Sequence, residues 1–298
     1  MTLKNANLPM LIERFHDDEA CRRILEDIRW PEGVACIQCG SLNVKPVKNR
    51  PSYACNDCAY QFSVMVGTVL QDTKIPLWKW FLATYFICES RKGISSNQMK
   101  RMIGITYKSA WFLTHRIRYA MAMATPALLS GTVEVDETYV GGKARGKGRG
   151  YRDNKSMVIG AIERGGAVRF RVDQRNDRKT LHGFIKSVVD DDAVAIYTDQ
   201  WAAYRGIGDE NTIHESVNHQ IEEWVRGDVH TQGIESVWSL LKRSIVGSYH
   251  QLSAKHLDSY LDELEWRFNN RDNPYLFRDT LAALLSAESL EYKELIAS

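Results

Sequence analysis

Four cysteines stand as two close pairs, Cys36-Ile37-Gln38-Cys39 and Cys55-Asn56-Asp57-Cys58, with fifteen residues between them. Two intervening residues let one tight turn bring both sulfurs to about 2.3 Å from a single tetrahedral ion, so the spacing is that of a zinc ribbon. Gly40, directly after Cys39, suits the positive φ that such a knuckle needs. Redox pairs and disulfides would use the same residues. No basic region followed by an apolar core opens the chain, which argues against disulfides, and the short β-like stretch 52–54 between the pairs favours metal. The expected cofactor is one structural Zn²⁺ on Cys36, Cys39, Cys55 and Cys58. Cys21 and Cys88 lie in apolar helical settings and read as core thiols.

A second set of residues is acidic. In Thr132-Val133-Glu134-Val135-Asp136-Glu137-Thr138-Tyr139-Val140 a strand would place Glu134 and Asp136 on one face and Val133, Val135 and Glu137 on the other. Strands are expected again at 157–162 and 168–172, then a helix at about 178–189. The apolar run 193–197 follows and delivers Thr198-Asp199, as a strand buried on both faces would. Three antiparallel strands, a helix and a buried strand ending in Asp is the order of an RNase H-like mixed sheet. Its adjacent central strands would bring Asp136 and Asp199 together. Such a pair repels unless cations bind, and phosphodiester chemistry with two hard cations requires oxygen ligands shared by ions about 3.5–4 Å apart. A third carboxylate is expected from the helix beginning near His230-Thr231-Gln232-Gly233-Ile234-Glu235. Glu235 fills that place, and Lys242, two helical turns on, shares its face and suits a phosphate.

The elements around these residues are mostly helical. Residues 17–25 read as a short helix with acids in its first turn, ended by Trp30-Pro31. Residues 75–124 carry apolar residues at helical spacing. After Gly93, a short helix, a turn at Gly104, Thr106 suited to an N-cap and a longer helix make a helix-turn-helix pattern. The second helix would present Lys108, His115, Arg116 and Arg118, partly towards phosphates; the alternative is an αα-hairpin packed on its neighbour. Downstream, 256–268 has a helical apolar stripe with Asp258, Asp262, Glu263 and Glu265 expected in solvent, and a last amphipathic helix starts near Phe277.

The formal charge of +2 hides an asymmetry. Residues 1–130 hold 17 Lys+Arg against 10 Asp+Glu, and residues 131–298 hold 22 against 27. Within the acidic half, 141–179 carries 12 basic side chains and 4 acidic ones, including Arg145, Lys147, Arg149 and Arg152. This pattern points to nucleic acid. The glycines of 141–150 lack the G-K-[ST] of a phosphate loop, so ATP is not expected. His182, His214, His219 and His230 form no H-x3-H pair and read as structural or hydrogen-bonding residues. No apolar run reaches the ~18 residues of a membrane helix, and a cytoplasmic setting is expected.

Taken together, these segments resemble the ISXO-like insertion-sequence transposases of bacteria, which join an N-terminal zinc ribbon to a DDE-type, retroviral-integrase-like catalytic domain. The resemblance runs over nearly the whole chain. It is carried by Arg29-Trp30-Pro31-Glu32-Gly33, Gln61-Phe62-Ser63-Val64, Ser109-Ala110-Trp111 and His115-Arg116-Ile117-Arg118. Further carriers are Val135-Asp136-Glu137-Thr138-Tyr139-Val140-Gly141-Gly142, Thr198-Asp199, Val217-Asn218-His219 and the stretch from His230-Thr231 to Lys242-Arg243. It implies a multidomain α/β protein: helix and ribbon over 1–66, a helical DNA-binding region over 70–128, an RNase H-like catalytic domain over 131–272 and a helical tail over 273–298. It also implies cleavage at element ends and strand transfer into double-stranded target DNA, with Asp136, Asp199 and Glu235 holding two Mg²⁺ (or Mn²⁺) ions. Relatives often carry Asn where this chain has Gln232, so position 232 is a rival for the third place. Pairing two ends implies at least a dimer. Two other readings share these residues: a non-catalytic DNA-binding regulator on a degenerate scaffold, and a metal-dependent nuclease without strand transfer.

Overall fold

The computed structural model describes residues 3–123, 127–142, 155–208, 212–217 and 225–297. The chain divides into two compact units, one of residues 1–124 with 272–298 and one of residues 125–271.

The first unit begins with α1 (Leu8–Arg14) and α2 (Asp18–Arg29), capped by the side chains of Asn7 and Asp17 on the N–H groups of Met10 and Ala20. Acids in the first turn of α2 complement its dipole, and Cys21, Ile24 and Leu25 line its buried face. The ribbon follows as three short antiparallel strands, β1 (Val44–Pro46), β2 (Tyr53–Cys55) and β3 (Gln61–Phe62). Its own core is small, with Cys36, Cys55 and Phe62 buried and Trp30, Tyr53 and Tyr60 packed against them.

Helix α3 (Leu77–Glu89) buries residues on most of its circumference, Leu77, Trp80, Phe81, Thr84, Ile87 and Cys88 among them, as a core helix does. The expected short helix, glycine turn and longer helix are present. Helix α4 (Ser96–Ile103) is capped by Ser95 and ends at Gly104 with φ +62°, and Thr106 caps α5 (Tyr107–Ala122) through the N–H of Ser109. Helices α9 (Leu276–Ser286) and α10 (Tyr292–Ala297) belong to the same unit. Phe277 of α9 lies edge-on to Phe81, and Tyr292 of α10 to Trp111 and Phe112.

The second unit is built on a five-stranded sheet. Its strands are β4 (Thr132–Val140), β5 (Ser156–Glu163), β6 (Val168–Asp173), β7 (Ala195–Asp199) and β8 (Ile213–Val217), in the order β6-β5-β4-β7-β8. The pairings β4–β5 and β5–β6 are antiparallel, whereas β7 pairs parallel to both β4 and β8. Helix α6 (Arg178–Val188) covers one face, where Leu181, Phe184 and Ile185 meet Val133, Val135, Ile159 and Ile196. Helices α7 (Gln232–Ser244) and α8 (Leu257–Asn269) cover the other, where Ile234, Trp238, Leu241, Leu261 and Leu264 meet Val158 and Ile162. Strand β8 was not read from the sequence; it is short, and only Val217 of its side chains is buried.

The acids of α8 correct an expectation. Only Asp258 is exposed; Glu263 is fully buried, bonded to Arg267 at 3.2 Å and to the Tyr249 hydroxyl at 2.8 Å. On another face, Glu265 accepts the N–H of Phe170 and Asn269 that of Val168, at 3.1 and 2.7 Å. Side chains of α8 thus satisfy donors of edge strand β6 that a further strand would otherwise take. Between them, burial and the neighbouring Asp258 and Glu265 raise the carboxyl of Asp262 to about 7. A folded-state value above the unfolded one stabilises fully below about pH 4, and that contribution is lost as pH rises through about 7. Asp262→Asn is therefore expected to be more stable than wild type at pH 8 by on the order of 1–2 kcal/mol, and equal to it near pH 4, in urea titrations at the two values.

Candidate active site and metal centre

In the ribbon the four sulfurs lie within 4.8 Å of one another. Cys36 Sγ is 3.6 Å from Cys58 Sγ, and Cys39 Sγ is 3.6 Å from Cys55 Sγ. A tetrahedron of Zn–S bonds of about 2.3 Å has edges of about 3.8 Å, so the cage fits zinc. Desolvation opposes ionisation of Cys36, but the backbone N–H groups of Cys39 and Gln38 outweigh it and bring the thiol down to about 7. Asp57 braces the two knuckles, accepting from the Ser41 hydroxyl and from Asn43 Nδ2.

On the sheet, the ladder of β4 with β7 pairs Glu134 with Tyr197. Two residues further along both strands stand Asp136 and Asp199, side by side at the centre of the sheet. The carboxyl of Asp136 is raised to about 7 by burial and by the charges of Glu137 and Asp199. Strand alternation separates the roles as expected: Glu137 points to the α6 face, where the buried Tyr204 hydroxyl donates to it at 2.7 Å. Asp199 accepts from the N–H of Trp201 at 3.0 Å, which closes the turn after β7. A divalent cation would offset the burial and the neighbouring charges that disfavour ionised Asp136, so the donor set fits the hard ions that oxygen ligands hold.

Helix α7 crosses this face. Trp238 Nε1 donates to Asp136 Oδ2 at 2.9 Å. The indole reaches it over Gly160, the partner of Asp136 on β5, where an added Cβ would stand 2.5 Å from Trp238 Cη2. Ala in place of a strand Gly ordinarily stabilises, but Gly160→Ala is expected to destabilise by about 1–3 kcal/mol in urea denaturation, because a buried indole must shift. Glu235, Gln232 and Lys242 are all exposed on α7, and Glu235 Oε1 accepts from the Thr231 hydroxyl at 3.1 Å. Among the described residues the cysteines are the one set of three or more ligand-type groups that converges within 4.8 Å. The structure thus joins Asp136 to Asp199 but does not draw Glu235 into one ligand cluster with them.

Glu134 is the residue whose role the sequence did not disclose. It is 1% exposed on β4, on the same face as Asp136. Arg164 Nε donates to its Oε1 at 2.8 Å, and the N–H groups of Gly233 and Ile234, at the start of α7, donate to its Oε2 at 2.7 and 3.2 Å. His230 Nδ1 lies 3.3 Å from Oε1 without the alignment of a hydrogen bond. Only strand alternation hinted at this placement.

The basic residues divide. Lys108 is exposed, its Nζ 4.5 Å above the Tyr292 ring. Arg116 and Arg118 correct an expectation, because both are buried in the structure. Arg116 donates to the Gln71 carbonyl and stacks between Trp80 and Phe112; Arg118, 0% exposed, donates to Thr114 Oγ1. They stand on the inner face of α5, where phosphate cannot reach them. Arg145, Lys147, Arg149 and Arg152, with Asn218 and His219, lie outside the described residues.

Three antiparallel strands, a crossover helix and two strands parallel to the first form an RNase H-like fold. Residues 128–269 match the ISXO2-like transposase domain and residues 16–61 the transposase zinc-ribbon domain, so that more than half of the sequence is matched. The chain belongs to the ISXO2-like insertion-sequence transposases. It is 28% identical over 277 residues to a protein in the transposable element ISH50 of Halobacterium salinarum, covering 87% of this chain and 93% of that one. The integrase catalytic core domain of HTLV-2, solved with magnesium, superposes with a TM-score of 0.28 at 15% identity over 48% of this chain and 86% of that one. The Mos1 strand transfer complex gives a TM-score of 0.32 at 8% identity over 69% and 74%. Among the described residues no helix is long and apolar enough to cross a membrane.

Proposed function

We propose that this transposase cuts the ends of its element and joins them to double-stranded target DNA through a site centred on Asp136 and Asp199, with Glu235 as the third acid. One observation carries the reading: two aspartates stand at matching positions on adjacent central strands, and the carboxyl of one is raised to about 7 by burial and by the charges of Glu137 and of the other aspartate. Such a pair is costly for the fold and useful only where cations bind. Mg²⁺ or Mn²⁺ held there would supply activation of the attacking hydroxyl and neutralisation of charge at phosphorus. Around it, Trp238 orients Asp136, the turn at Trp201 orients Asp199, and Lys242 offers a positive charge to phosphate on the face of α7 that bears Glu235. Gln232 borders the same exposed surface and is the rival third residue.

A DNA-facing surface is supported by charge. Between Glu89 and Glu134 the chain holds seven Lys and Arg residues and no Asp or Glu. Two are the buried Arg116 and Arg118; Arg91, Lys92, Lys100, Arg101 and Lys108 are exposed. Lys100 and Arg101 on α4 and Lys108 at the start of α5 occupy the positions from which a helix-turn-helix grips a duplex. Replacing Lys100 and Lys108 together by Glu is expected to weaken DNA binding uniformly across sequences. The salt slope should flatten by about two phosphate contacts in titrations at several salt concentrations. An unchanged slope would remove this face from the interface. Two ends must meet in one reaction, so a dimer on DNA belongs to the proposal.

The test incubates the zinc-loaded protein with a labelled element end, a target plasmid and Mg²⁺. Cleaved and joined products that disappear in Asp199→Asn support the reading. Cleavage without joining would make the protein a metal-dependent nuclease, and DNA binding without either product would make it a regulator.

A further inference from the structure

The buried carboxylate of Glu134 is the least expected group in the second unit. A lone buried charge is strongly unfavourable, so its retention calls for partners and a consequence. Arg164 is one partner; the others are the first N–H groups of α7. In an ordinary helix start the N-cap hydroxyl accepts from the N–H two or three residues on. Thr231 is the N-cap of α7, yet its hydroxyl makes no cap bond and its φ and ψ of −117° and 22° are not those of an extended cap. The N–H groups at positions two and three of the helix go to Glu134 instead, and the hydroxyl of Thr231 is left to donate to Glu235 Oε1. Gly233 makes this close approach feasible, because a Cβ there would sit 2.7 Å from Glu134 Oε2.

A second contact fixes the register. Glu134 and Asp136 are two residues apart on β4, about 6.6 Å along a strand. Their partners on α7, Gly233 or Ile234 and Trp238, are four or five residues apart, about 6–7.5 Å along a helix. The helix therefore meets the strand at two matched points, and Glu235 lies between them. We propose that Glu134 is a positioning residue of the active site: by capping α7 from the neighbouring strand it frees the Thr231 hydroxyl to hold the carboxylate of Glu235. This rests on the reading of Asp136, Asp199 and Glu235 as metal ligands.

Mn²⁺ binding to the zinc-loaded protein, followed by isothermal titration without DNA, tests it apart from activity. Glu134→Gln removes the charge, and Thr231→Val removes only the hydroxyl at nearly constant shape. Each is expected to weaken Mn²⁺ binding about tenfold, the usual size for a group that orients a ligand. The double variant should be no weaker than either single one, because both act along one path. Wild-type affinity in Thr231→Val, or additive losses in the double variant, would overturn the proposal. If Glu134→Gln fails to fold by circular dichroism, Thr231→Val decides alone. Asp199→Asn separates the two levels: wild-type Mn²⁺ binding in that variant removes the metal reading and this inference with it, whereas loss there beside wild-type affinity in Thr231→Val removes only the role given to Glu134.

Discussion

Asp136→Asn is expected to lower end cleavage and strand joining by on the order of 10³-fold or more, yet to leave a protein that melts higher than wild type at pH 8 without divalent ions. The loss of rate follows from ligand chemistry. An amide is a poor ligand for a hard divalent ion, and several kcal/mol of charge stabilisation at phosphorus go with it, each 1.36 kcal/mol being a factor of about ten. The gain in stability follows from the carboxyl itself. Burial, Glu137 and Asp199 raise it to about 7, so the folded state disfavours its ionised form. Its contribution is complete below about pH 4 and is lost as pH rises through about 7; the variant's advantage should grow across that window. Asn keeps an acceptor for Trp238 Nε1, so the indole contact need not be lost. Thermal scans at pH 5 and pH 8 beside the joining assay check both halves. Lower stability of the variant at pH 8 would mean that the carboxylate serves the fold and not the site.

Cys55→Ser carries the second large effect. The ribbon has three short strands and a core of little more than Cys36, Cys55, Phe62 and the rings packed on them. A core of that size does not offset the entropy of ordering the segment, so metal binding is part of its folding free energy, about 10–16 kcal/mol in comparable zinc sites. Wild type should hold one zinc per chain. The serine variant should hold almost none, and its residues 30–66 should become open to protease while the sheet of the second unit stays resistant. Metal analysis and timed proteolysis read these outcomes; a metal-free variant as resistant as wild type would show that the ribbon folds on its apolar contacts.

Much of this molecule was legible locally. The two C-x2-C pairs need only a tight turn each, and the structure gathers their four sulfurs. Strands β4 to β7, the cap at Thr106 and the face shared by Glu134 and Asp136 followed from period two, period 3.6 and a side chain that bonds to a nearby N–H group. Strand β8 was missed because its side chains are largely exposed and show no buried period. Helix α1, a single seven-residue stretch capped by Asn7, is too short to show a period of its own.

What the sequence determined by itself are the features in which a residue's role depends on neighbours a few positions away: the zinc knuckles, the strand and helix pattern, and the placing of Asp136 within one strand and of Asp199 at the end of another. Charge at a distance was decided only by the tertiary structure. Arg116 and Arg118 looked like phosphate contacts and lie in the core; Glu263 looked solvated and is buried with Arg267. Glu134 looked like one more strand acid and caps a helix that begins almost a hundred residues later. The reason is physical. An isolated charged side chain prefers water wherever it stands in the chain, and whether it is buried depends on partners that only folding brings within reach.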